Sequence, residues 1–124
     1  EIPLRLVGSE MCIRDSIARP RPCWLDSSVQ LLIANPTDYS FPSGHTLSSV
    51  IGATVLTKAN RKFGLAAIPL AALIAFSRLY LYVHFPTDIL GAAVLGVGIG
   101  LVTCTIGDRV RTALAKKGIF LHAR

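Results

Sequence analysis

Two of the three histidines in the chain stand beside residues that could make them catalytic. Asp88 follows His84 by four positions, across a predicted helix start at Pro86. At that spacing the carboxylate can accept a hydrogen bond from one imidazole nitrogen and leave the other nitrogen as a nucleophile. His45 lies in a separate segment, where it could protonate a leaving oxygen and later activate water. This pattern predicts nucleophilic catalysis by histidine.

Arginines and a helix N-terminus accompany the histidines, and both kinds of group bind phosphate. Arg19 and Arg21 lie in a proline-rich loop, and Arg78 lies near the end of an apolar segment. Arginine binds phosphate oxygens through two parallel N–H groups. A helix that begins at Ser43 and Gly44 adds free backbone N–H groups and its positive dipole end, and the glycine lets an anion approach closely. Together these residues predict a phosphate site.

Three long apolar segments must position this site. They run from about residue 43 to 59, from 63 to 83 and from 87 to 106. As helices they would extend roughly 25–32 Å, which is the thickness of a bilayer core. The predicted fold class is therefore all-α, an integral membrane helix bundle with about three transmembrane helices present; a buried soluble bundle is the alternative. The third segment also contains glycines that suit close helix packing: Gly91, Gly96, Gly98 and Gly100.

Composition favours the membrane class over a nucleic-acid-binding module. Hydrophobic residues make up 52% of the 124 residues and charged residues only 16%, against about 25% charged in soluble domains. The net charge of +6 is not gathered in a patch among polar and stacking residues, as nucleic-acid binding requires. We therefore predict contact with a bilayer and no nucleic-acid partner, and the oligomeric state is left open.

The basic residues predict the orientation of the helices. One cluster, in the link between the first and second segments, contains Lys58, Arg61 and Lys62. The other follows the third segment and contains Arg109, Arg111, Lys116, Lys117 and Arg124. Both belong on the cytoplasmic side by the positive-inside rule. The chain is thus expected to be a multi-pass cell-membrane protein with a cytoplasmic C-terminus and its candidate site on the outer face.

No metal-binding pattern accompanies the candidate site. The three cysteines, Cys12, Cys23 and Cys104, form no C-x-x-C pair. Neither a disulfide framework nor a zinc site is therefore indicated.

Two motifs resemble the signature of the type-2 phosphatidic acid phosphatase superfamily, which also includes the vanadium haloperoxidases. They are PSGH at 42–45 and SRLYLYVHFPTD at 77–88. The family pattern is Lys-x6-Arg-Pro, then Pro-Ser-Gly-His, then Ser-Arg-x5-His-x3-Asp. The second and third elements match at every defined position, and the resemblance covers about residues 19–106.

The resemblance implies roles for the matched residues. His84 would be the nucleophile that forms a phosphohistidine, Asp88 its orienting partner, and His45 the general acid and then the general base. The phosphate-binding residues implied are Arg78, Ser43, Gly44 and a loop arginine. No metal and no cofactor are implied, so stabilisation of the pentavalent transition state falls to the arginines and backbone amides.

The first family element is matched only in part. Arg19 and Arg21 each precede a proline, so either could fill its arginine position. Seven residues before Arg21 stands Arg14, which is basic although not lysine, whereas Cys12 stands seven before Arg19. We favour Arg21.

The first 17 residues are of doubtful origin. Their stretch EMCIRDS resembles translated sequencing adapter, so a native and a foreign origin both stay open. Residues 18–124 are interpreted as the C-terminal part of a lipid phosphatase membrane domain, because members of the family usually have six membrane helices.

The implied activity is metal-independent hydrolysis of a lipid phosphate or pyrophosphate. Undecaprenyl pyrophosphate, phosphatidate and phosphatidylglycerol phosphate are all compatible substrates, and nothing in the sequence chooses among them. A vanadate-dependent haloperoxidase and a non-catalytic membrane protein of the same fold are the alternatives.

Overall fold

The computed structural model describes residues 11–116, which form helices and loops with no strand among them. Residues 11–17 are helical. Four further helices follow: α1 (Pro22–Leu25), α2 (Gly44–Ala59), α3 (Arg61–Tyr80) and α4 (Pro86–Lys116). The predicted all-α class is confirmed.

Asn60 separates α2 from α3. Its extended backbone, with φ of −158°, ends α2, and its side-chain oxygen accepts a hydrogen bond from the Lys62 backbone N–H at 2.9 Å. Asparagine is among the best N-terminal caps because its side chain satisfies an N–H group that has no partner within the helix. A single residue therefore turns the chain back, and α3 runs alongside α2.

The turn between α3 and α4 places His84. We predicted that the second segment continues to about residue 83, but α3 ends at Tyr80. The difference arises at Tyr82, whose φ of 58° lies in the left-handed region and cannot continue a right-handed helix. Pro86 then begins α4, where its fixed φ suits a first helical position. His84 is thus held in a short turn between two helices.

The third segment is longer than predicted. We expected it to end near residue 106, whereas α4 continues to Lys116 and contains 31 residues. That length corresponds to about 46 Å, well beyond the ~30 Å of a bilayer core. Arg109, Arg111 and Lys116 therefore lie on a continuous helix. The other two basic residues of this cluster, Lys117 and Arg124, lie outside the described residues.

Two helices in the described part of the chain, α3 and α4, are long and apolar enough to cross a membrane by length and composition. Helix α2 is not one of them, so the predicted count of about three is not confirmed. Its 16 residues extend only about 24 Å. Many large apolar side chains of α3 and α4 are exposed, including Leu65, Leu73 and Val94.

Small residues bring α2 and α4 into close contact. A Cβ atom at Gly96 would lie 2.9 Å from Cβ of Val50, and one at Gly100 would lie 2.7 Å from Cβ of Thr54. Both distances are shorter than carbon atoms tolerate, so only glycine permits this separation of the helices. Gly98 faces open space, with nothing within 4 Å. The predicted packing role therefore holds for Gly96 and Gly100 and not for Gly98.

This difference gives a matched pair of substitutions. Alanine favours a helix over glycine by about 1 kcal/mol at either site. At Gly96 the added methyl group must also push apart α2 and α4, a cost of about 1–3 kcal/mol. We expect Gly96→Ala to lower the midpoint of thermal unfolding in detergent and Gly98→Ala to leave it unchanged or raise it. Equal midpoints for the two variants would contradict the observed packing.

Candidate active site

Buried polar side chains gather at one end of the helices, where the N-termini of α2 and α4 meet the turn after α3 and the loop at 18–42. The buried polar and charged residues of the described chain are Arg21, Ser40, Ser43, Thr46, His84 and Asp88. Burying a charge is costly unless it is paired and hydrogen-bonded. A cluster of this kind at the end of an apolar bundle therefore needs a network of partners.

The hydrogen-bond partners of His84 assign its tautomer. Its Nε2 atom lies 3.2 Å from Nη1 of Arg21. A guanidinium group can only donate, so Nε2 accepts and the ring proton resides on Nδ1. Nδ1 lies 3.7 Å from Oδ2 of Asp88, and it has no hydrogen-bond partner among the described residues. The imidazole is thus neutral, with the Nε2 lone pair directed at Arg21 and the Nδ1–H close to the carboxylate.

Asp88 is fully buried and is held from several sides. Its Oδ1 atom accepts a hydrogen bond from Nη1 of Arg19 at 2.9 Å. Its Oδ2 atom accepts from the Phe85 backbone N–H at 2.8 Å and from the Ser40 hydroxyl group. These contacts fix the plane of the carboxylate beside the His84 ring.

Arg21 is the loop arginine that reaches Nε2 of His84. Its guanidinium group is almost fully buried. Besides the contact with His84, Nη1 donates to the carbonyl oxygen of Val83 at 2.9 Å. Nε and Nη2 donate to the carbonyl oxygen and to Oδ1 of Asp38, each at 2.7 Å. Arg19 instead binds Asp88 and stacks over the ring of Phe85, 4.4 Å from its centroid. The two arginines that the sequence left as alternatives therefore have different partners: Arg21 contacts His84, and Arg19 contacts Asp88.

Asp38 links the two basic residues that stand seven positions apart in the sequence. Its carboxylate accepts from Arg21 and forms an ion pair with Nη1 of Arg14. Burial acts to raise the pKa of Asp38, but the charges of Arg21 and Arg14 outweigh it and hold the pKa below its usual value. Asp38 is thus ionised and balances the positive charge beside the site.

Ser43 and Gly44 form the N-terminus of α2, as predicted. Ser43 is the N-cap residue and is fully buried, and its backbone N–H lies 3.5 Å from the carbonyl oxygen of Asp88. The first hydrogen bond of the helix is donated by Leu47 to Ser43 at 2.9 Å. The N–H groups of residues 44–46 therefore precede the helical ladder, and a helix N-terminus of this kind favours an anion.

His45 and Arg78 belong to the same end of the bundle but form no hydrogen bond to the other candidate residues within the described range. His45 is exposed at the edge of the buried cluster. Desolvation beside the cluster and the positive charge of Arg78 lower the pKa of His45 below its usual value. The Nε atom of Arg78 is buried without a partner among the described residues. Buried polar groups are usually satisfied, so Arg78 has donor capacity to offer a bound anion.

Ser40 and Asp38 are the site residues that sequence reasoning missed. Both lie in the loop just before the second motif, and neither is a defined position of the family pattern. Their partners, Asp88 and Arg21, stand 48 and 17 positions away. No local spacing could have indicated these pairs.

The surroundings of His84 keep its imidazole neutral. Burial is the main cause, and the positive charge of Arg21 adds to it; Asp88 and the backbone of Ser40 act in the opposite direction. The net effect lowers the pKa of His84 from 6.5 to about 4. At neutral pH the Nε2 lone pair is therefore free of a proton and chemically available.

This shift predicts the acid side of a pH profile. A histidine with the ordinary pKa loses its lone pair as the pH falls through 6.5, whereas His84 keeps it until the pH approaches 4. If His84 is the nucleophile, we expect the acid limb of kcat/KM to have its midpoint near pH 4. Assays at neutral pH after acid incubation would separate titration from unfolding. A reversible midpoint near 6.5 would contradict the proposed protonation state.

Comparison with known families agrees with this arrangement. The family model described as the PAP2 superfamily matches residues 6–111. The chain belongs to the PAP2 superfamily. The resemblance based on residues 42–45 and 77–88 is thereby confirmed. The matched range also includes Arg14 and both loop arginines.

Two undecaprenyl-diphosphatases are among the similar PAP2 proteins. The chain is 34% identical over 92 residues to undecaprenyl-diphosphatase BcrC of Bacillus subtilis, and this alignment covers 74% of this chain and 47% of that protein. It is 36% identical over 91 residues to the undecaprenyl-diphosphatase of Sulfolobus acidocaldarius, and this alignment covers 73% of this chain and 44% of that protein. The matched region spans less than half the length of either relative.

A solved PAP2 structure has a similar fold. It is the crystal structure of a transmembrane PAP2 type phosphatidylglycerolphosphate phosphatase from Bacillus subtilis, with a TM-score of 0.68 and 27% sequence identity. The likeness covers 86% of this chain and 54% of that chain. Together with the two long apolar helices, it indicates that this PAP2 chain is a membrane protein.

Proposed function

We propose that the protein is a metal-independent lipid phosphatase that acts through a phosphohistidine on Nε2 of His84. One observation carries the proposal: Nε2 faces the guanidinium of Arg21 while Nδ1 faces the buried carboxylate of Asp88. A nucleophilic nitrogen is thus directed at a phosphate-binding group, and the opposite nitrogen lies beside a negative charge that stabilises the imidazolium formed on attack.

The first chemical step forms the phosphoenzyme. A bound phosphate oxygen takes the place of Nε2 as the acceptor from Nη1 of Arg21, which frees the lone pair. Nε2 then attacks phosphorus, and the bond from phosphorus to the leaving oxygen breaks. His45 donates a proton to that oxygen. Arg21, Arg78 and the N–H groups at the start of α2 stabilise the negative charge on the pentavalent transition state.

The second step regenerates the histidine. His45, now neutral, accepts a proton from water, and the water oxygen attacks phosphorus. The bond from phosphorus to Nε2 breaks, phosphate leaves, and Arg21 returns to the lone pair of His84. One water molecule is consumed for each phosphate released.

A lipid substrate follows from where the site lies. The buried polar cluster stands at one end of the long apolar helices α3 and α4, so an amphiphile can keep its chain in lipid while its phosphate enters the site. The related undecaprenyl-diphosphatases support an isoprenyl pyrophosphate as the first substrate to test, with phosphatidate and phosphatidylglycerol phosphate as comparisons.

The site would face the outer side of a multi-pass membrane protein. The turn around Asn60 lies at the opposite end of α2 and α3, and it carries Lys58, Arg61 and Lys62. The far part of α4 carries Arg109 and other basic residues. The positive-inside rule places these ends in the cytoplasm, which supports a cytoplasmic C-terminus.

Phosphate release from the protein expressed from its complete reading frame tests the proposal. The purified protein in detergent is expected to release phosphate from undecaprenyl pyrophosphate in the presence of EDTA. In a separate assay without EDTA, vanadate is expected to inhibit the release. No release from any of the three lipid substrates would overturn the proposal. Bromide oxidation with vanadate and peroxide would instead favour a haloperoxidase.

A further inference from the structure

Ser40 lies at the centre of the contacts that hold Asp88. It has no exposed surface, and its hydroxyl group donates to Oδ2 of Asp88. Its backbone N–H donates to the carbonyl oxygen of Arg19 at 2.9 Å. The side chain of Arg19 in turn donates to Oδ1 of Asp88 at 2.9 Å. The three residues therefore form a closed unit that ties the loop to the start of α4.

The oxygen that Ser40 binds is the one that faces the nucleophile. Oδ2 of Asp88 lies 3.7 Å from Nδ1 of His84 and already accepts from Ser40 and from the Phe85 N–H. A carboxylate oxygen has about two lone-pair directions for donors. Both directions are taken in this state, which accounts for a separation longer than a hydrogen bond. Ser40 thus affects both the direction of the carboxylate and how much of its charge reaches the imidazole.

We propose that Ser40 and Arg19 are positioning residues that act on His84 through Asp88. The inference rests on the proposed phosphohistidine mechanism and adds two residues that its motifs do not contain. Neither residue needs to touch the substrate: Ser40 is sealed from solvent, and the guanidinium group of Arg19 is directed at Asp88 and Thr87.

Removing the Ser40 hydroxyl has two consequences. The carboxylate of Asp88 loses one of its donors and can turn, so the His84 ring is less well oriented for attack. The less satisfied carboxylate also interacts more strongly with a protonated ring, which raises the pKa of His84. The other charged groups that act on this ring, Arg21 and Arg14, stay in place. We therefore expect a change in rate together with a change in pH dependence.

Steady-state kinetics of Ser40→Ala test the inference. We expect kcat to fall roughly 10-fold to 100-fold, as is usual for residues that orient a reactive group, with KM within about twofold because the phosphate site is untouched. The acid limb of kcat/KM should move to higher pH. Ser28→Ala is the matched control, because Ser28 donates to Asp26 at 2.5 Å in an exposed part of the same loop. It should leave the rate and the profile unchanged.

Arg19→Gln provides a second variant in case Ser40→Ala does not fold. Arg19 is partly exposed, and its replacement by the shorter, neutral glutamine removes the charged guanidinium donor to Oδ1 of Asp88. We expect the same loss of kcat and the same direction of pH shift. An unchanged kcat, or a lower kcat with an unmoved acid limb in both variants, would overturn the inference and leave a structural role. Failure of the proposed function is distinguishable, since it would appear as a wild-type protein without phosphate release.

Discussion

Substitution of His84 with glutamine is expected to abolish phosphate release. Glutamine keeps a polar side chain of similar reach but has no nitrogen lone pair that can attack phosphorus. Loss of a covalent nucleophile commonly costs about 10⁴-fold or more in kcat. We expect a loss of that size with lipid binding retained, because Arg21 and the start of α2 are unchanged. Phosphate release and the binding of undecaprenyl pyrophosphate, measured on the same preparation, check both parts.

A matched histidine substitution sharpens this result. His45→Gln removes the general acid and base while leaving the nucleophile in place, so the phosphoenzyme should still form slowly and then persist. His84→Gln should show no phosphoenzyme at all. If His84→Gln kept activity within about tenfold of the wild type, His84 would not be the nucleophile.

Arg21→Lys is expected to have the second largest effect. The guanidinium group of Arg21 uses all three of its nitrogens: Nη1 contacts Val83 and His84, and Nε and Nη2 contact Asp38. Lysine offers a single point charge and cannot reproduce this fork. Loss of one group that stabilises transition-state charge typically costs about 10²-fold to 10³-fold. We expect a decrease of that size in kcat/KM, with weaker inhibition by vanadate.

The control for this substitution is Arg111→Lys, an equivalent change on an exposed part of α4. It should leave kcat/KM unchanged. An Arg21→Lys variant with wild-type kcat/KM would show that Arg21 does not bind the transferred phosphate. Retained activity of Arg21→Lys together with a large loss in Arg19→Lys would move the arginine position of the first family element to Arg19.

Much of this architecture could be predicted from local patterns. Long apolar segments indicated an all-α fold, and the motif spacings indicated that His84, Asp88 and the start of α2 would meet. The errors concern helix ends. Nothing in the apolar run around Tyr82 indicates its left-handed backbone. No proline stands between residues 107 and 116 to end α4.

The partners within the site could not be predicted in the same way. The choice between Arg19 and Arg21 depends on which side chain enters the buried cluster, and their spacing to neighbouring residues does not determine this. Their observed contacts bridge 69 and 63 positions of the chain. Such pairs are set by how α4 and the turn after α3 pack against the loop, which only the folded structure shows.

Trapping the phosphoenzyme tests the proposed mechanism most directly. The wild-type protein is mixed with undecaprenyl pyrophosphate labelled in its terminal phosphate, quenched in alkali during turnover, digested and mapped by mass spectrometry. We expect the label on His84 as an acid-labile, alkali-stable phosphoramidate, increased in His45→Gln and absent in His84→Gln. Label on another residue, or rapid phosphate release with no labelled His84 in the wild type and in His45→Gln, would contradict a phosphohistidine at this site.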